Sequence, residues 1–535
     1  MTPALLVFLV TFVVYVSGLA PDVYWLDSSE LAAAAWGLGI AHPPGHPLPS
    51  LIGRACALLP FGSVALRVGL ASALAGAAAA AQTTRLGALV ARRARLPAQS
   101  DARVDGLIGA AAGLTFGLSY AAAFQAVRPE VYALSALLVV TCAYELARYD
   151  ETGDRRRLGT AALAAGLALS NHHLLALTFV VPAALLFAPR AGWRSVARAL
   201  VVAAGAIAAV WAYLPLRAAR HPLVDWGAPT TLSRIWWTVS ARAFQKAVAR
   251  GQVGDVGAVA AALAAELWLI GAFLALGGAY VLVRLERRRL ALLLLGAALF
   301  DAATPALVGF DPSNPDAYGY LEAAVALLAA LSCALLAAVA AAAQRPRTVS
   351  AVAAALVVAV GVAGVATRSR FARARFWDTG ATLGRFLDAT PSRARLVTSD
   401  FQTIFALWYL RAVEERRPDV DLVHRHFLSY PGYREEIARQ LGDVSREPDV
   451  LEYDLDLPDA EVARSTTIPV AASDDEPQTR RYAAWQAYLG ADRGCRLARA
   501  GGPPAEPALA RARALLSLPS LNCDHIRDPV TIASP

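Results

Sequence analysis

Long apolar segments alternate with short polar loops through the first two thirds of the chain. Most of these segments approach the ~20 residues that cross a ~30 Å hydrocarbon core, so the pattern predicts a mainly α, polytopic membrane protein. The segments 158–171 and 174–188 are short for full crossings, and we expect them to be tilted or partly re-entrant. About eleven transmembrane helices are predicted, at 4–20, 63–91, 106–125, 130–147, 158–171, 174–188, 199–216, 257–283, 290–308, 318–343 and 348–367.

After residue 367 the pattern changes to ordinary polarity, with no segment long enough to span a membrane. Short apolar runs at 394–398 and 420–424 flank a helical pattern at 401–417, which is typical of a small α/β domain. We therefore predict two domains. Residues 1–367 form the transmembrane domain, with a first extracytoplasmic loop at 21–62, and residues 368–535 form an accessory domain.

The placement of the arginines predicts the orientation of the chain. The protein has 535 residues, is 57% hydrophobic and 17% charged, and carries a net charge of +8. Arginines cluster in the short loops 92–103, 148–157, 189–198, 284–289 and 345–347. The positive-inside rule places these loops in the cytoplasm, on the inner membrane. The N-terminus is then cytoplasmic and the C-terminal domain extracytoplasmic. Topology thus explains the basic residues, and we expect no nucleic-acid partner.

The longer loop 217–256 departs from this bias, because it lies on the predicted outer side although it carries five arginines and Lys246. An anionic head group is one natural ligand for such a loop. A solvated loop beside acidic lipids is an equally weighted alternative.

Cysteine and histidine spacing gives little sign of a cofactor. Nothing resembles a zinc site, so we predict no cofactor and no metal site, although the sequence leaves a divalent metal open. Cys495 and Cys523 lie in the polar tail, and whether they pair in an oxidising compartment is also left open.

The first predicted extracytoplasmic loop begins with the stretch LDSSEL, in which Asp27 and Glu30 are three residues apart. This spacing places both acids on one face of a helix. A carboxylate at membrane depth is costly unless it has a role, and its natural role is a general base that deprotonates an acceptor hydroxyl. The structural alternative is a capping box, with Asp27 as N-cap and Glu30 at N3.

Further polar residues fall on the same predicted side. In AHPPGHPL, His42 and His46 flank a turn that is tolerated at membrane depth only where it lines a cavity or is buried. Histidines and arginines there suit a bound phosphate, although arginines at span ends also snorkel and histidines also form interfacial hydrogen bonds. The candidate donor-phosphate and substrate-binding residues are His42, His46, Arg128, Glu130, Tyr132, His172, His173, Arg217 and Arg242. Since no nucleotide-binding loop motif is found, a lipid-linked donor is favoured.

The stretch DSSELAAAAWGLGIAHPPGHPLPSLIGRACALLPFG resembles the signature of the bacterial domain-of-unknown-function family classed as glycosyltransferase family 117. A eukaryotic relative of that family is a transmembrane protein O-mannosyltransferase. The family usually reads D-S-G-E and G-I-A-H-P-P-G-Y-P, where this chain has Ser29 and His46. NHH at 171–173, PLR with DWGAP at 215–229, and TSDFQTIFALWYLRAVEERRPDV at 398–420 extend the resemblance.

The resemblance implies a GT-C architecture and a polyprenyl-phosphate sugar donor. It also implies that Asp27 and Glu30 are the catalytic acids, one of them the base for inverting transfer. We expect a sugar, with mannose as one candidate, to move to a hydroxyl on a protein or glycan at the extracytoplasmic face. The alternatives are a transporter or flippase of lipid-linked sugars and an inactive membrane receptor.

Overall fold

The computed structural model describes residues 2–24, 26–95, 101–244, 253–312, 314–343, 346–366, 379–389, 395–398, 401–424, 427, 430–441, 452–454, 495, 498, 504–516 and 522–523. Helices dominate this part of the chain, and short 3-10 helices at Arg242–Phe244 and Pro315–Leu321 supplement them. The α-helices of the first 366 residues are α1 (Pro3–Gly18), α2 (Ser28–Gly37), α3 (Pro47–Ala57), α4 (Val64–Arg93), α5 (Ala102–Gly117), α6 (Tyr120–Ala126), α7 (Tyr132–Thr152), α8 (Arg156–Ala191), α9 (Trp193–Trp211), α10 (Tyr213–Ala218), α11 (Leu232–Val239), α12 (Val253–Glu266), α13 (Ile270–Arg284), α14 (Arg288–Val308), α15 (Glu322–Ala342) and α16 (Pro346–Ala366).

The apolar helices confirm the prediction of a mainly α, multi-pass membrane protein. Within the described residues, five helices are long and apolar enough to cross a membrane, and two bent pairs raise this number to seven. The predicted spans 106–125 and 257–283 are not single straight helices. The first is bent by 65° between α5 and α6, and the second by 93° between α12 and α13. The total of eleven crossings stays a prediction.

Helix α8 reverses direction at His172, whose backbone angles (φ −152°, ψ 91°) are not helical. A straight helix of this length would separate its ends by roughly 50 Å. Yet Arg157 lies 2.9 Å from Glu145 and Arg190 lies 3.5 Å from Asp150, so both ends of α8 meet the same end of α7. The two short apolar segments predicted here are therefore the arms of a hairpin, and the NHH motif forms its tip.

Small residues allow the long helices to approach closely, since packing drives helix association in lipid. Helices α4 and α5 show this most clearly. A Cβ atom added at Gly109 would lie 2.4 Å from the carbonyl oxygen of Thr84, so a larger residue there would force the two helices apart.

The tail contains a three-stranded parallel sheet in the order β2–β1–β3. Leu396 of β1 is paired with Leu422 of β2 and with Tyr453 of β3. The strand–helix–strand pattern expected at 394–424 is therefore present. The tail elements are α17 (Thr379–Ala389), β1 (Arg395–Thr398), α18 (Phe401–Val413), β2 (Asp421–His424), α19 (Tyr433–Leu441), β3 (Glu452–Asp454) and α20 (Glu506–Leu516).

The tail docks onto the helices of the first loop rather than standing apart from them. Helix α18 packs on α2, and the backbone N–H of Ala65 donates a 3.1 Å hydrogen bond to the Tyr409 hydroxyl. The tail cysteines, whose pairing the sequence left open, form the disulfide Cys495–Cys523.

Candidate functional site

Helix α2 begins directly after Asp27 and carries Glu30, and the capping box given above as the structural alternative does not form. Asp27 occupies the N-cap position, and its side chain accepts no capping hydrogen bond. Glu30 bonds to His42 instead of returning to the backbone of Asp27. The Asp27 side chain remains 40% exposed, next to the Nε2 atom of His42 at 3.7 Å.

Glu30 is fully buried, in contrast to Asp27. Its Oε1 accepts a 2.8 Å hydrogen bond from the backbone N–H of His42, and its Oε2 lies 2.6 Å from the Nδ1 of the same residue. A carboxylate held by two such bonds fixes the histidine in place but has no open face toward a substrate. The two acids thus occupy different environments although the sequence places them on one helical turn.

The HPPGH turn connects α2 to the tip of the α8 hairpin. Gly45 has φ +97°, in the region where glycine is favoured. The Nδ1 of His46 donates a 2.9 Å hydrogen bond to the carbonyl oxygen of Asn171, which can only accept. The Nε2 of a neutral His46 is then an acceptor, and the Nε2 of His42, 3.2 Å away, is the donor.

The charges in this chain of hydrogen bonds follow from burial and from the neighbouring acids. Burial lowers the pKa of His46 well below its usual range, so this ring is neutral. Burial alone would also lower the pKa of His42, but Asp27 and Glu30 outweigh it and raise that pKa to about 10. Burial raises the pKa of Glu30. The Glu30–His42 pair therefore holds one shared proton, and the Nε2–H of His42 faces His46 and Asp27.

A cavity of ≈ 530 Å³ lies beside this turn and brings together six of the predicted site residues. It is large enough for a ligand the size of a sugar phosphate. The predicted residues on its lining are Asp27, His42, Glu130, Tyr132, His172 and His173. Glu30 and His46 lie behind this lining and support His42.

Arg128 does not meet the expectation of a phosphate ligand. It is only 1% exposed, does not line the cavity, and stacks against Phe124 at 4.7 Å. Its guanidinium donates to Ser28 Oγ at 2.7 Å and to the carboxylates of Glu130 and Asp316. Buried carboxylates hold this arginine, because an unpaired buried charge would be very costly.

Two other predicted arginines also lie off the cavity lining. Arg217 donates to the carbonyl oxygens of Leu38 (2.7 Å) and Gly37 (3.0 Å), so it binds the C-terminal end of α2. Arg242 is exposed on the short 3-10 helix Arg242–Phe244, beside the lining residues Ala241 and Phe244. It therefore sits at the rim of the cavity.

Sequence reasoning missed a second polar loop, DPSNPDAYGY at 311–320. Its acids and amide stand between two apolar segments, which is the same signal that singled out LDSSEL. The residues from this loop on the cavity lining include Asp311, Asn314, Asp316 and Tyr320.

An aromatic wall beside the HPPGH turn was also missed as a feature of the site. The backbone of Ile40 pairs with Val224 and Trp226, which brings the DWGAP motif against the HPPGH turn. The Trp226 ring lies 6.3 Å from His42 and is stacked 6.4 Å from Phe401 of α18. The aromatic wall consists of Trp226, Phe244, Phe401 and Phe405, with Gln402 beside it.

The described lining offers carboxylates, other hydrogen-bonding groups and apolar faces, but no built metal site. Among the described residues, no group of three or more His, Cys, Asp or Glu side chains is arranged to hold a metal ion. The described lining likewise contains no arginine or lysine, while four acids face the cavity: Asp27, Glu130, Asp311 and Asp316.

Comparison with known proteins finds similarity over the same region. Residues 27–196 match the model described as the N-terminal domain of the protein O-mannosyl-transferase TMEM260. The mouse protein O-mannosyl-transferase TMEM260 is 38% identical over 156 residues, which are 28% of this chain and 20% of that protein. The pairwise match spans about a fifth of the curated relative. The segment that matches the family model, residues 27–196, contains α2, the HPPGH turn and the α8 hairpin.

Several solved structures are similar at low sequence identity. ArnT from Cupriavidus metallidurans in the apo state has a TM-score of 0.48 at 14% identity, covering 76% of this chain and 84% of that one. ArnT bound to undecaprenyl phosphate gives 0.47 at 15% identity, covering 82% and 87%. An Archaeoglobus fulgidus oligosaccharyltransferase gives 0.45 at 14% identity, covering 78% and 62%.

Proposed function

We propose that the protein is a membrane glycosyltransferase of the GT-C type. In this proposal it moves a sugar, with mannose as the first candidate, from a polyprenyl-phosphate donor to a protein or glycan hydroxyl. The observation that carries the proposal is Asp27, a partly exposed carboxylate on the wall of a large cavity within the segment that resembles O-mannosyl-transferases. The whole relative is longer than the matched segment, so the activity is inferred from the site.

In the proposed reaction, Asp27 acts as the general base. The acceptor hydroxyl gives its proton to an Asp27 oxygen as its own oxygen bonds to the anomeric carbon. The bond from that carbon to the phosphate oxygen breaks, and polyprenyl phosphate leaves. A single displacement of this kind inverts the anomeric centre and requires one base. Glu30 is buried behind His42, so we assign it a positioning role.

Two cations are proposed to offset the charge of the donor phosphate. His42 faces the cavity and is held by Glu30 with one shared proton. Arg242 stands exposed at the rim, where a lipid phosphate would enter. His172 and His173, at the tip of the hairpin, complete the proposed polar lining. Arg128 and Arg217 are proposed to shape the site without touching the donor.

The orientation of the protein is part of the proposal. The arginine-rich loops support an extracytoplasmic position for the cavity by the positive-inside rule. The Cys495–Cys523 disulfide supports the same assignment for the tail, since disulfides persist in oxidising compartments. A lipid-linked donor suits that side, and the sequence contains no nucleotide-binding loop motif that would favour a soluble nucleotide sugar.

The purified protein in proteoliposomes, with radiolabelled polyprenyl-phosphate sugars and a periplasmic extract, tests this proposal. We expect label to move from the lipid to a protein or glycan product. Movement of labelled lipid across the bilayer without any product would instead favour a flippase. If none of the donors tried gives either a product or transport, the proposal is contradicted.

A further inference from the structure

Two carboxylates on the cavity wall share one buried arginine. Nη1 of Arg128 donates a 2.7 Å hydrogen bond to Oε1 of Glu130, and Nη2 donates to Oδ1 of Asp316. The two carboxylates line the cavity, whereas Arg128 lies behind them. The arginine therefore fixes both acids in position without offering its own charge to a ligand.

These carboxylates keep acceptor positions for a ligand. The second oxygen of Glu130 accepts a 3.1 Å hydrogen bond from the backbone N–H of Val131. Each carboxylate oxygen can accept two hydrogen bonds, so the oxygens that bind Arg128 or Val131 still have a free acceptor position. Hydroxyl groups are donors that match such positions.

The neighbouring side chains have the chemistry of a sugar site. The rings of Tyr132 and Tyr320 lie 5.4 Å apart on the same lining, which also includes the Asn314 amide. Aromatic rings offer apolar faces to the C–H face of a sugar, while the amide both donates and accepts. Carboxylates, an amide and tyrosines together suit a ring with several hydroxyl groups.

The charge of the lining limits which sugar fits. Arg128 is shared between two acids, Asp27 and Asp311 add two further carboxyl groups to the same cavity, and the described lining contains no arginine or lysine. Placing an anion against such a lining costs several-fold to many-fold in affinity, whereas a hydroxyl is accepted. A carboxylate at C6 of the sugar would therefore be rejected.

We propose that Glu130 and Asp316, held by Arg128, form the hydroxyl-binding subsite for the transferred sugar, and that this subsite selects an uncharged glycosyl group over a uronic acid. The inference rests on the proposed glycosyltransferase function and names its substrate class. The phosphate of the donor then lies toward His42 and the rim, away from the two acids.

The test measures donor binding in the Asp27→Asn background, in which turnover does not interfere. The probes are a polyprenyl-phosphate hexose and the same lipid with the sugar oxidised to a hexuronate at C6. We expect the hexose to bind at least ~30-fold more tightly. Adding Glu130→Gln or Asp316→Asn, which keep the side-chain shape, is expected to reduce this ratio to about threefold or less. Glu435→Gln, an exposed acid that pairs with Arg234 outside the cavity, is the control and leaves the ratio unchanged.

Equal binding of the two lipids to the unsubstituted subsite would overturn the inference, whatever the variants do. The inference would also be overturned if both acid variants kept the thermal stability of the parent and bound the two lipids with an unchanged affinity ratio. Selective binding by a protein that transfers no sugar from any donor would contradict the proposed function while supporting the subsite. Transfer of hexose and hexuronate at equal rates would support the proposed function while contradicting the subsite.

Discussion

Asp27 and Glu30 differ in exposure although one helical turn carries both. The sequence identified the pair, since two acids at this spacing are unusual between apolar segments. The sequence could not indicate which acid is exposed, because that depends on His42, twelve residues beyond Glu30. His42 binds Glu30 and approaches Asp27. The same limit applies to Arg128, whose burial and partners come from long-range packing that a local motif does not encode.

Replacing Glu30 by Gln is expected to reduce transfer far less than removing the base. The variant keeps a hydrogen bond to His42 but loses the charge-assisted contribution, worth about 1–1.5 kcal/mol, or about tenfold in rate. Steady-state kinetics with a labelled donor would measure this. A loss as large as that of Asp27→Asn would contradict the positioning role and restore Glu30 as a catalytic acid.

The pKa of His42 predicts a dependence of stability on pH. This pKa is raised from about 6.5 in the unfolded chain to about 10. The charged histidine therefore contributes stability that is complete below pH ~6.5 and is lost as the pH rises toward ~10. We expect the melting temperature in detergent to fall between pH 7 and 10 by at least about 2 °C more in the parent protein than in His42→Gln. Parallel melting curves of the two proteins across this pH window would contradict the assignment.

At the scale of elements, the site depends on contacts between segments that are distant in the chain. Helix α2, the HPPGH turn, the tip of the α8 hairpin and the DWGAP loop meet through a few backbone hydrogen bonds. The hydropathy pattern predicted the positions of the long helices along the chain, because long apolar runs are strong indicators of such helices. It could not foresee the bends at 118–119 and 267–269 or the aromatic wall, since both depend on how the helices pack.

Arg217 is expected to stabilise α2 and thereby the position of Asp27. Arg217→Ala removes two hydrogen bonds to the last carbonyl oxygens of α2, which lowers the stability of that helix end by about 1–3 kcal/mol. We expect a lower melting temperature and a lower turnover rate, with little change in KM for the donor. Arg220→Ala, at an exposed arginine nearby, is the matched control. A raised KM for the donor with unchanged stability would indicate that Arg217 binds phosphate after all.

At the scale of the whole molecule, the tail belongs to the site rather than to a detached module. Helix α18 supplies Phe401, Gln402 and Phe405 to the cavity and packs on α2. The sequence predicted the strand–helix–strand pattern of the tail but not this docking. Buried apolar side chains of α18 face the core of the transmembrane domain, and periodicity alone does not indicate which surface covers them.

The proposed orientation is tested by labelling single cysteines in intact cells. The background lacks the free cysteines Cys56, Cys142 and Cys333 and keeps the Cys495–Cys523 pair. Thr230→Cys, in the proposed outer loop, is expected to react with a membrane-impermeant maleimide. Asp154→Cys, in an arginine-rich loop, is expected to react only after the cells are opened. The reverse pattern would place the cavity in the cytoplasm and contradict the proposed orientation.

The most direct test of the account is the transfer rate of the Asp27→Asn variant with a labelled polyprenyl-phosphate hexose and its acceptor. Removing a general base costs about 10²–10⁴ in rate, so we expect product formation to fall by at least 100-fold while donor binding stays within about threefold of the parent. Asp311→Asn, at another acid on the same cavity wall, is the matched control, and its transfer rate is expected to stay within about tenfold of the parental rate. An Asp27→Asn variant that transfers sugar at the parental rate would show that Asp27 is not the base.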